Sequence, residues 1–181
     1  MDEDLKRDII IDNYQNPVNR GLKDDSSYIK ENTNNESCID NLDIMVKVED
    51  GKVKDIVFDG EACAISTSAT SIMIKTLIGK TVEDAKKILI NYEAMINEKE
   101  YDEDLLGELN VYNTIYRQPN RKMCALLPHN AIRKILEELN YVMQMEIVGI
   151  KLLIIWQLKK VMTQEKIIVF ILISIMGNLV K

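Results

Sequence analysis

The three cysteines of the chain and one aspartate are its most informative residues. The thiols stand at Cys38, Cys63 and Cys124, and the first opens a triplet with Ile39 and Asp40. Three thiolates and one carboxylate supply the four anionic ligands of a tetrahedral metal site. Cys38 and Asp40 are two positions apart, so in an extended segment both side chains face the same side. The intervals of 25 and 61 residues form no local metal signature, so the fold must gather the thiols.

The elements that must position these thiols are predicted from the surrounding pattern. Cys38 precedes a strand, Cys63 precedes a helix, and Cys124 precedes a last helix that we expect to start near Pro128. A cysteine at the mouth of a helix faces the positive end of the peptide dipoles, which attracts a thiolate. Loops at one end of a scaffold can converge on a single ion.

The first 37 residues predict a helix followed by a polar loop. Leu5, Ile9 and Tyr14 recur at roughly helical spacing, and the pattern stops before Pro17, because proline disfavours helix in the residue before it. Residues 19–37 are polar and of low complexity, so we expect mostly loop, with a short strand around Tyr28.

A hairpin is predicted next. Apolar and polar side chains alternate over residues 42–49, and residues 53–58 are rich in β-branched types. Asp50 and Gly51 between them are typical of a tight hairpin turn. Gly60 and the following Glu61 and Ala62 are expected to break the second strand before Cys63.

Three amphipathic helices follow in the pattern. The first has small residues from Ala64 onward and is expected to end at Gly79. The second begins at Thr81, which resembles the start of a capping box with Asp84, and carries apolar residues through Tyr92. The last helix presents four apolar residues on one face: Ile132, Ile135, Leu136 and Leu139.

Composition limits the class of protein. The 181 residues, 46% of them apolar, predict one domain with a real core, or one domain with an appendage. An odd number of widely spaced cysteines and a charged start argue against a disulfide framework and for a reducing cytoplasm. Residues 1–145 carry 18 basic and 27 acidic side chains, which argues against nucleic acid as a partner.

Residues 146–181 differ from the rest of the chain. They carry 5 basic and 2 acidic side chains and two apolar runs, 147–156 and 167–176. Neither run reaches the roughly 20 apolar residues of a membrane span, so a membrane partner is not expected. The abrupt change suggests an out-of-frame extension, and an interfacial anchor or a docking helix are the alternatives. We therefore divide the chain into a domain over 1–145 and an atypical tail over 146–181.

Four motifs in order resemble the IscU/NifU-type scaffolds of iron–sulfur cluster assembly. They are residues 13–21 (NYQNPVNRG), 38–40 (CID), 60–66 (GEACAIS) and 121–124 (RKMC). Two features resemble the SufU branch: the long segment between the last two cysteines, and Met123 with Arg121 where the IscU proteins place a histidine before the thiol. The likeness runs from about Asp8 to Asn140.

The resemblance implies a fold, a site and a role. The fold would be α+β and SufE/NifU-like, a small antiparallel sheet of about three strands packed with helices. Cys38, Asp40, Cys63 and Cys124 would bind zinc. Cys38 would accept persulfide sulfur from a SufS-type cysteine desulfurase, in the manner of a sulfurtransferase, for a downstream cluster scaffold or apo-protein. Arg121 is expected to stabilise the charge of the thiolate or persulfide.

Two alternatives remain open for the function. An IscU-like scaffold would assemble a transient [2Fe–2S] cluster on Cys38, Cys63 and Cys124. A structural zinc protein would hold the ion with no sulfur chemistry.

Several residues depart from the pattern or invite other interpretations. Ile39 and Ala62 stand where the family usually has glycine, and isoleucine would fit poorly if that position needs a positive φ. His129 is expected to be solvated or capping at a helix start rather than a ligand. Residues 66–68 (STS) are interpreted as small-residue packing rather than a nucleophile.

Overall fold

The computed structural model describes residues 1–34 and 38–139. Residues 1–137 form one compact unit. A three-stranded sheet and the helices around it make up this unit. The elements are α1 Glu3–Gln15, β1 Ile29–Asn34, β2 Asn41–Glu49, β3 Lys52–Glu61, α2 Ala64–Leu77, α3 Val82–Ile96, α4 Glu103–Leu106, 3₁₀ turns at Gly107–Tyr112 and Ile115–Arg117, and α5 over 119–139. The predicted α+β class with a small antiparallel sheet is confirmed.

The hairpin of β2 and β3 is confirmed. Both strands pair antiparallel, and Asp50 and Gly51 between them have φ values of 51° and 71°. Positive φ at both central residues is the geometry of the two-residue turn that matches strand twist. Leu42, Ile44 and Val46 are fully buried, as the alternation predicts. Cys38 lies just before β2 and Cys63 just after β3, so the hairpin brings the segments that carry these two cysteines together.

The expectation for residues 19–37 was partly wrong, because an edge strand lies there. β1 covers Ile29–Asn34 and pairs antiparallel with β2, with Thr33 opposite Leu42. The Asn32 amide also bonds the side chains of Asn41 and Asp43 at 2.7 and 2.9 Å. An edge strand needs backbone partners on one side only, so polar side chains are tolerated there.

The expected break of β3 over residues 60–62 is confirmed in part, because the strand ends before Ala62 but Gly60 itself lies within it. The strand continues to Glu61, which pairs with Asn41. Gly60 has a φ of 133°, and a Cβ at this position would collide with the carbonyl oxygen of Asn41. Glycine therefore lets the strand continue at close approach, and it brings residues 62–63 beside Asp40.

Helix α2 lies at the centre of the helical layer. Its small side chains between Ser66 and Ser71 are all buried. Asn13 of α1 accepts a 2.8 Å hydrogen bond from the Ser71 hydroxyl. The helix ends at Leu77, with Gly79 at a φ of 83° shortly after it. The predicted helix is confirmed.

The N-terminal helix is also confirmed, but its packing was not foreseen. Leu5 and Tyr14 are 48% and 47% exposed. The residues it buries are polar, Lys6 and Asn13. The Lys6 amine donates to Glu3 at 2.7 Å and to Asn113 at 2.8 Å, which ties α1 to the segment after the first 3₁₀ turn.

The last helix starts earlier than expected. Residue 119, a proline, is the first helical position of α5, and the Lys122 N–H bonds the carbonyl of Gln118 at 2.9 Å. Proline suits the first turn of a helix, since its φ is already helical and no N–H is needed there. Cys124 therefore lies inside the helix, and Pro128 lies in its interior. His129, expected to be solvated or capping at a helix start, lies within α5 and is fully buried.

The capped helix α3 agrees with its prediction. The Asp84 N–H bonds the Thr81 hydroxyl at 3.1 Å, and the predicted apolar face is buried at Val82, Ala85, Ile88, Leu89 and Tyr92. The tail over 146–181 lies outside the described residues, and its assignment stays a prediction. Within residues 1–34 and 38–139, no helix has both the length and the apolar character to cross a membrane.

Candidate metal centre

The structure brings together the four residues singled out from the sequence. One ligand atom from each of Cys38, Asp40, Cys63 and Cys124 lies within 4.8 Å of all the others. Three segments deliver them: the residues just before β2, the start of α2, and the second turn of α5. The pairing of Asn41 with Glu61 holds the first two segments side by side at one end of the sheet.

Asp40 is the innermost of the four residues. Its side chain is 1% exposed, and its Oδ1 accepts a 2.6 Å hydrogen bond from the backbone N–H of Cys63. Its Oδ2 lies 2.6 Å from the Ser66 hydroxyl and 3.5 Å from the Cys63 sulfur. Burial acts to raise the pKa of this carboxyl, but hydrogen bonds from Cys124, Ser66 and Cys63 outweigh burial and hold the pKa below its usual value.

Cys63 is the N-cap of α2, as expected for a thiol at the mouth of a helix. Its backbone is extended, with φ −67° and ψ 168°, and its sulfur accepts from the N–H of Ser66 at 3.5 Å. The first N–H groups of a helix have no partner within the helix and carry partial positive charge. The N–H of Ser66 is one of these groups, and the Cys63 sulfur is its partner.

Cys124 is the buried thiol of the group, at 4% exposure. Burial raises the pKa of the Cys124 thiol well above its usual range, and the neighbouring carboxylate of Asp40 and sulfur of Cys63 raise it further. Acidic groups crowded in this way are the donor set that a soft divalent cation such as zinc prefers. The residues present therefore fit a site of three sulfurs and one oxygen.

Cys38 differs from the other three residues because it is exposed. It borders a cleft of about 490 Å³ together with the other two cysteines and four further residues, Ala64, Ile65, Asn120 and Arg121. Cys38 is therefore accessible from solvent at the cleft. Arg121 is exposed and lies at this cleft, and its role in stabilising charge stays a prediction.

The backbone at the two unusual non-glycine positions is unstrained. Among the described residues other than glycine, positive φ values occur at Asn19, Asp50 and Glu98. Glycine is therefore not required at positions 39 and 62. The Ile39 side chain is 72% exposed, so it takes no part in the core.

Sequence reasoning missed Ser66, which was interpreted as packing. Its hydroxyl is fully buried and touches Asp40, Cys63 and the backbone of Cys124. The available signal was its position three residues after the helix-capping Cys63, on the same face of the first turn. A hydroxyl in that position can contact the same group as the Cys63 side chain, here the Asp40 carboxylate.

Comparison with known proteins agrees with the fold and identifies the family. The family model described as the NifU-like N-terminal domain matches residues 5–125. The zinc-dependent sulfurtransferase SufU of Bacillus subtilis (strain 168) is 34% identical over 131 residues, which cover 72% of this chain and 88% of that protein. The iron–sulfur cluster assembly scaffold protein IscU of Thermotoga maritima is 32% identical over 131 residues, which cover 72% of this chain and 92% of that protein.

A solved structure resembles the chain as well. It is that of a putative iron–sulfur cluster assembly scaffold protein for the SUF system from Fervidobacterium islandicum AW-1. The two superpose with a TM-score of 0.66 at 31% identity, over 71% of this chain and 93% of that one. The resemblance predicted from the four motifs is confirmed: the chain belongs to the NifU-like N-terminal domain family, that of the SufU and IscU proteins of iron–sulfur cluster assembly.

Proposed function

We propose that this chain accepts persulfide sulfur on Cys38 at a zinc centre and carries it for iron–sulfur cluster assembly. The main support for the proposal is that the four candidate ligands lie close together but differ in burial. Asp40 and Cys124 are almost fully buried, whereas Cys38 is exposed at a cleft. Three residues can keep hold of an ion while the exposed one leaves to react.

The metal ligands in this proposal are Cys38, Asp40, Cys63 and Cys124. When bound, zinc would favour the deprotonated thiols and protect them from oxidation. The name of the Bacillus relative, a zinc-dependent sulfurtransferase, supports zinc as the ion. Asp40 is a harder donor than the sulfurs, and its two oxygens are already oriented by hydrogen bonds from Cys63 and Ser66.

The sulfur transfer is an exchange between a persulfide and a thiolate. The Cys38 thiolate attacks the terminal sulfur of the desulfurase persulfide, a new S–S bond forms on Cys38, and the old S–S bond breaks. The desulfurase cysteine leaves as a thiolate, so the step needs no added oxidant or reductant. Arg121 at the same cleft supplies positive charge for the anionic persulfide.

The partners follow from this chemistry. The donor is a cysteine desulfurase of the SufS type, and the recipient is a downstream cluster scaffold or apo-protein. We assign the reaction to the cytoplasm, because three thiols that must stay reduced to bind an ion suit a reducing compartment.

The experiment combines metal analysis with a sulfur-transfer assay. Purified protein is expected to contain about one zinc per chain, and labelled sulfur from cysteine should appear on it in the presence of the desulfurase. Cys38→Ala should remove the label, while Ile39→Ala changes the next exposed side chain and should keep it. Full labelling of Cys38→Ala would disprove the role of this thiol.

A cluster-building scaffold is the second candidate, because three thiols and a carboxylate also suit a [2Fe–2S] cluster and an IscU protein is 32% identical. Visible absorbance after anaerobic reconstitution would favour it over the colourless zinc protein.

A purely structural zinc site is less well supported, because an exposed ligand at an open cleft adds little to the fold. Unfolding on chelation without any effect on a desulfurase would favour that alternative.

A further inference from the structure

Ser66 is a buried side chain that connects three of the four candidate ligands. Its hydroxyl oxygen lies 2.6 Å from Asp40 Oδ2, 3.2 Å from the carbonyl oxygen of Cys124 and 3.5 Å from the sulfur of Cys63. These three residues come from the loop before β2, from α5 and from the start of α2. One hydroxyl therefore touches each segment that builds the buried part of the site.

The Ser66 hydroxyl has a single hydrogen to donate, and two neighbouring oxygen atoms can accept it, Asp40 Oδ2 and the Cys124 carbonyl oxygen. The 2.6 Å distance to Asp40 is that of a charge-assisted bond to a carboxylate, whereas the Cys124 carbonyl at 3.2 Å is a weaker acceptor. The hydroxyl hydrogen of Ser66 therefore points mainly toward the Asp40 carboxylate and is shared with the Cys124 carbonyl, the weaker of its two acceptors. The carboxylate is then held at both oxygens, by the Cys63 N–H at Oδ1 and by Ser66 at Oδ2.

Pro128 explains why the Cys124 carbonyl is turned toward a side chain. In a regular helix the N–H of residue 128 would donate to the carbonyl of residue 124, and proline has no N–H. The next carbonyl, of Ala125, also accepts from a side chain, the Tyr92 hydroxyl at 3.0 Å. This turn of α5 is thus fastened to α2 and α3 by hydroxyl groups.

We propose that Ser66 is a positioning residue for the metal centre. It fixes the rotation of the Asp40 carboxylate, which keeps Oδ2 on the side of the thiols, 3.5 Å from the Cys63 sulfur. It also fixes the distance between Asp40 and the turn of α5 that carries Cys124. The inference rests on the proposed metal centre, and it extends that proposal to a residue that binds no ion itself.

The test compares Ser66→Ala with Ser68→Ala. Ser68 offers a matched control, because it is a buried hydroxyl of the same helix whose partners are Tyr112 and the carbonyl groups of Ala64 and Ile65. Alanine suits a helix interior, so both variants should fold, and circular dichroism checks this. Zinc transfer to a chromophoric chelator is then timed for both variants and for the wild type.

We expect Ser66→Ala to release zinc about 10-fold to 100-fold faster than the wild type, as is usual when a partner of a metal ligand is removed. Ser68→Ala should release it at the wild-type rate. Equal rates for the two variants would overturn the role of Ser66, and stoichiometric zinc in the wild type would still leave the metal centre intact.

A second measurement works without any metal. In metal-free protein, alkylation of each cysteine is followed by mass spectrometry, with the exposed Cys38 as internal reference. Ser66→Ala should speed the labelling of the buried Cys124, because one of the contacts that join Asp40 to α5 is lost, and Ser68→Ala should not. If the wild type bound no zinc, the proposed function would fail, and this measurement alone would decide whether Ser66 positions Cys124.

Discussion

Gly60 offers the sharpest test of how the fold builds the site. Its φ of 133° lies in a region that L residues rarely adopt, and a Cβ there would collide with the backbone carbonyl of Asn41. Asn41 directly follows the candidate ligand Asp40. Gly60→Ala must therefore strain its own backbone and push the neighbouring strand away, which moves the Asp40 carboxylate relative to Cys63.

The magnitude follows from these two effects. Backbone strain of this kind costs about 1–3 kcal/mol. For a domain of this size that corresponds to a decrease in melting temperature of roughly 2–12 °C. The displacement of Asn41 adds to this loss, because backbone atoms of a paired strand cannot move away as a flexible side chain can. Loss of the Asp40 orientation should weaken zinc binding by about 10-fold or more.

The matched control is Gly79→Ala. Gly79 also has a positive φ, 83°, but a Cβ at this position would have no heavy atom within 4 Å. It should lose stability through strain alone and keep zinc at wild-type affinity. Thermal unfolding by circular dichroism and zinc competition would be measured on both variants. If Gly60→Ala bound zinc as tightly as Gly79→Ala, the close approach of β2 and β3 would not be what positions Asp40.

Two further predictions concern buried groups of the helical layer. Burial lowers the pKa of His129, which lies 3.8 Å from Glu93 with Arg133 nearby, so the unfolded chain binds the proton more readily. Unfolding free energy should therefore fall as pH drops below about 6.5, and His129→Gln should lose this dependence, as urea titrations at several pH values would show. The Tyr92 hydroxyl donates to the Ala125 carbonyl at 3.0 Å. Loss of this hydrogen bond in Tyr92→Phe should lower the unfolding free energy by about 1 kcal/mol, measured by urea titration. An unchanged urea midpoint would contradict this prediction.

Local pattern predicted the elements whose signals lie within a few residues. The hairpin around Asp50 and Gly51 and the cap at Thr81 agree with the structure, because turn and cap geometry depend on neighbouring residues alone. The start of α5 was misplaced because two prolines compete as start signals, and Pro119 was the one at the first turn. Pro128 in the interior is compatible with the helix because side chains from other elements bond the carbonyls near it.

Long-range pairing accounts for the other errors. β1 is polar and carries no apolar alternation, and it is a strand only because β2 offers its edge. The break predicted over residues 60–62 began too early, at Gly60, which lies within β3, and the need for glycine there comes from a carbonyl of the neighbouring strand nearly twenty positions away in the chain. His129 was expected to be solvated or capping because the last helix was predicted to start near Pro128.

The sequence by itself determined the chemistry that is available. Three cysteines, an aspartate and four ordered motifs were sufficient to identify the family and the candidate ligands, because residue types and their order are local information. Only the tertiary structure decided which ligand is exposed and which are buried, and that Ser66 joins three of them. Burial and hydrogen bonding between distant segments arise when the sheet and helices pack, and no spacing along the chain encodes them directly.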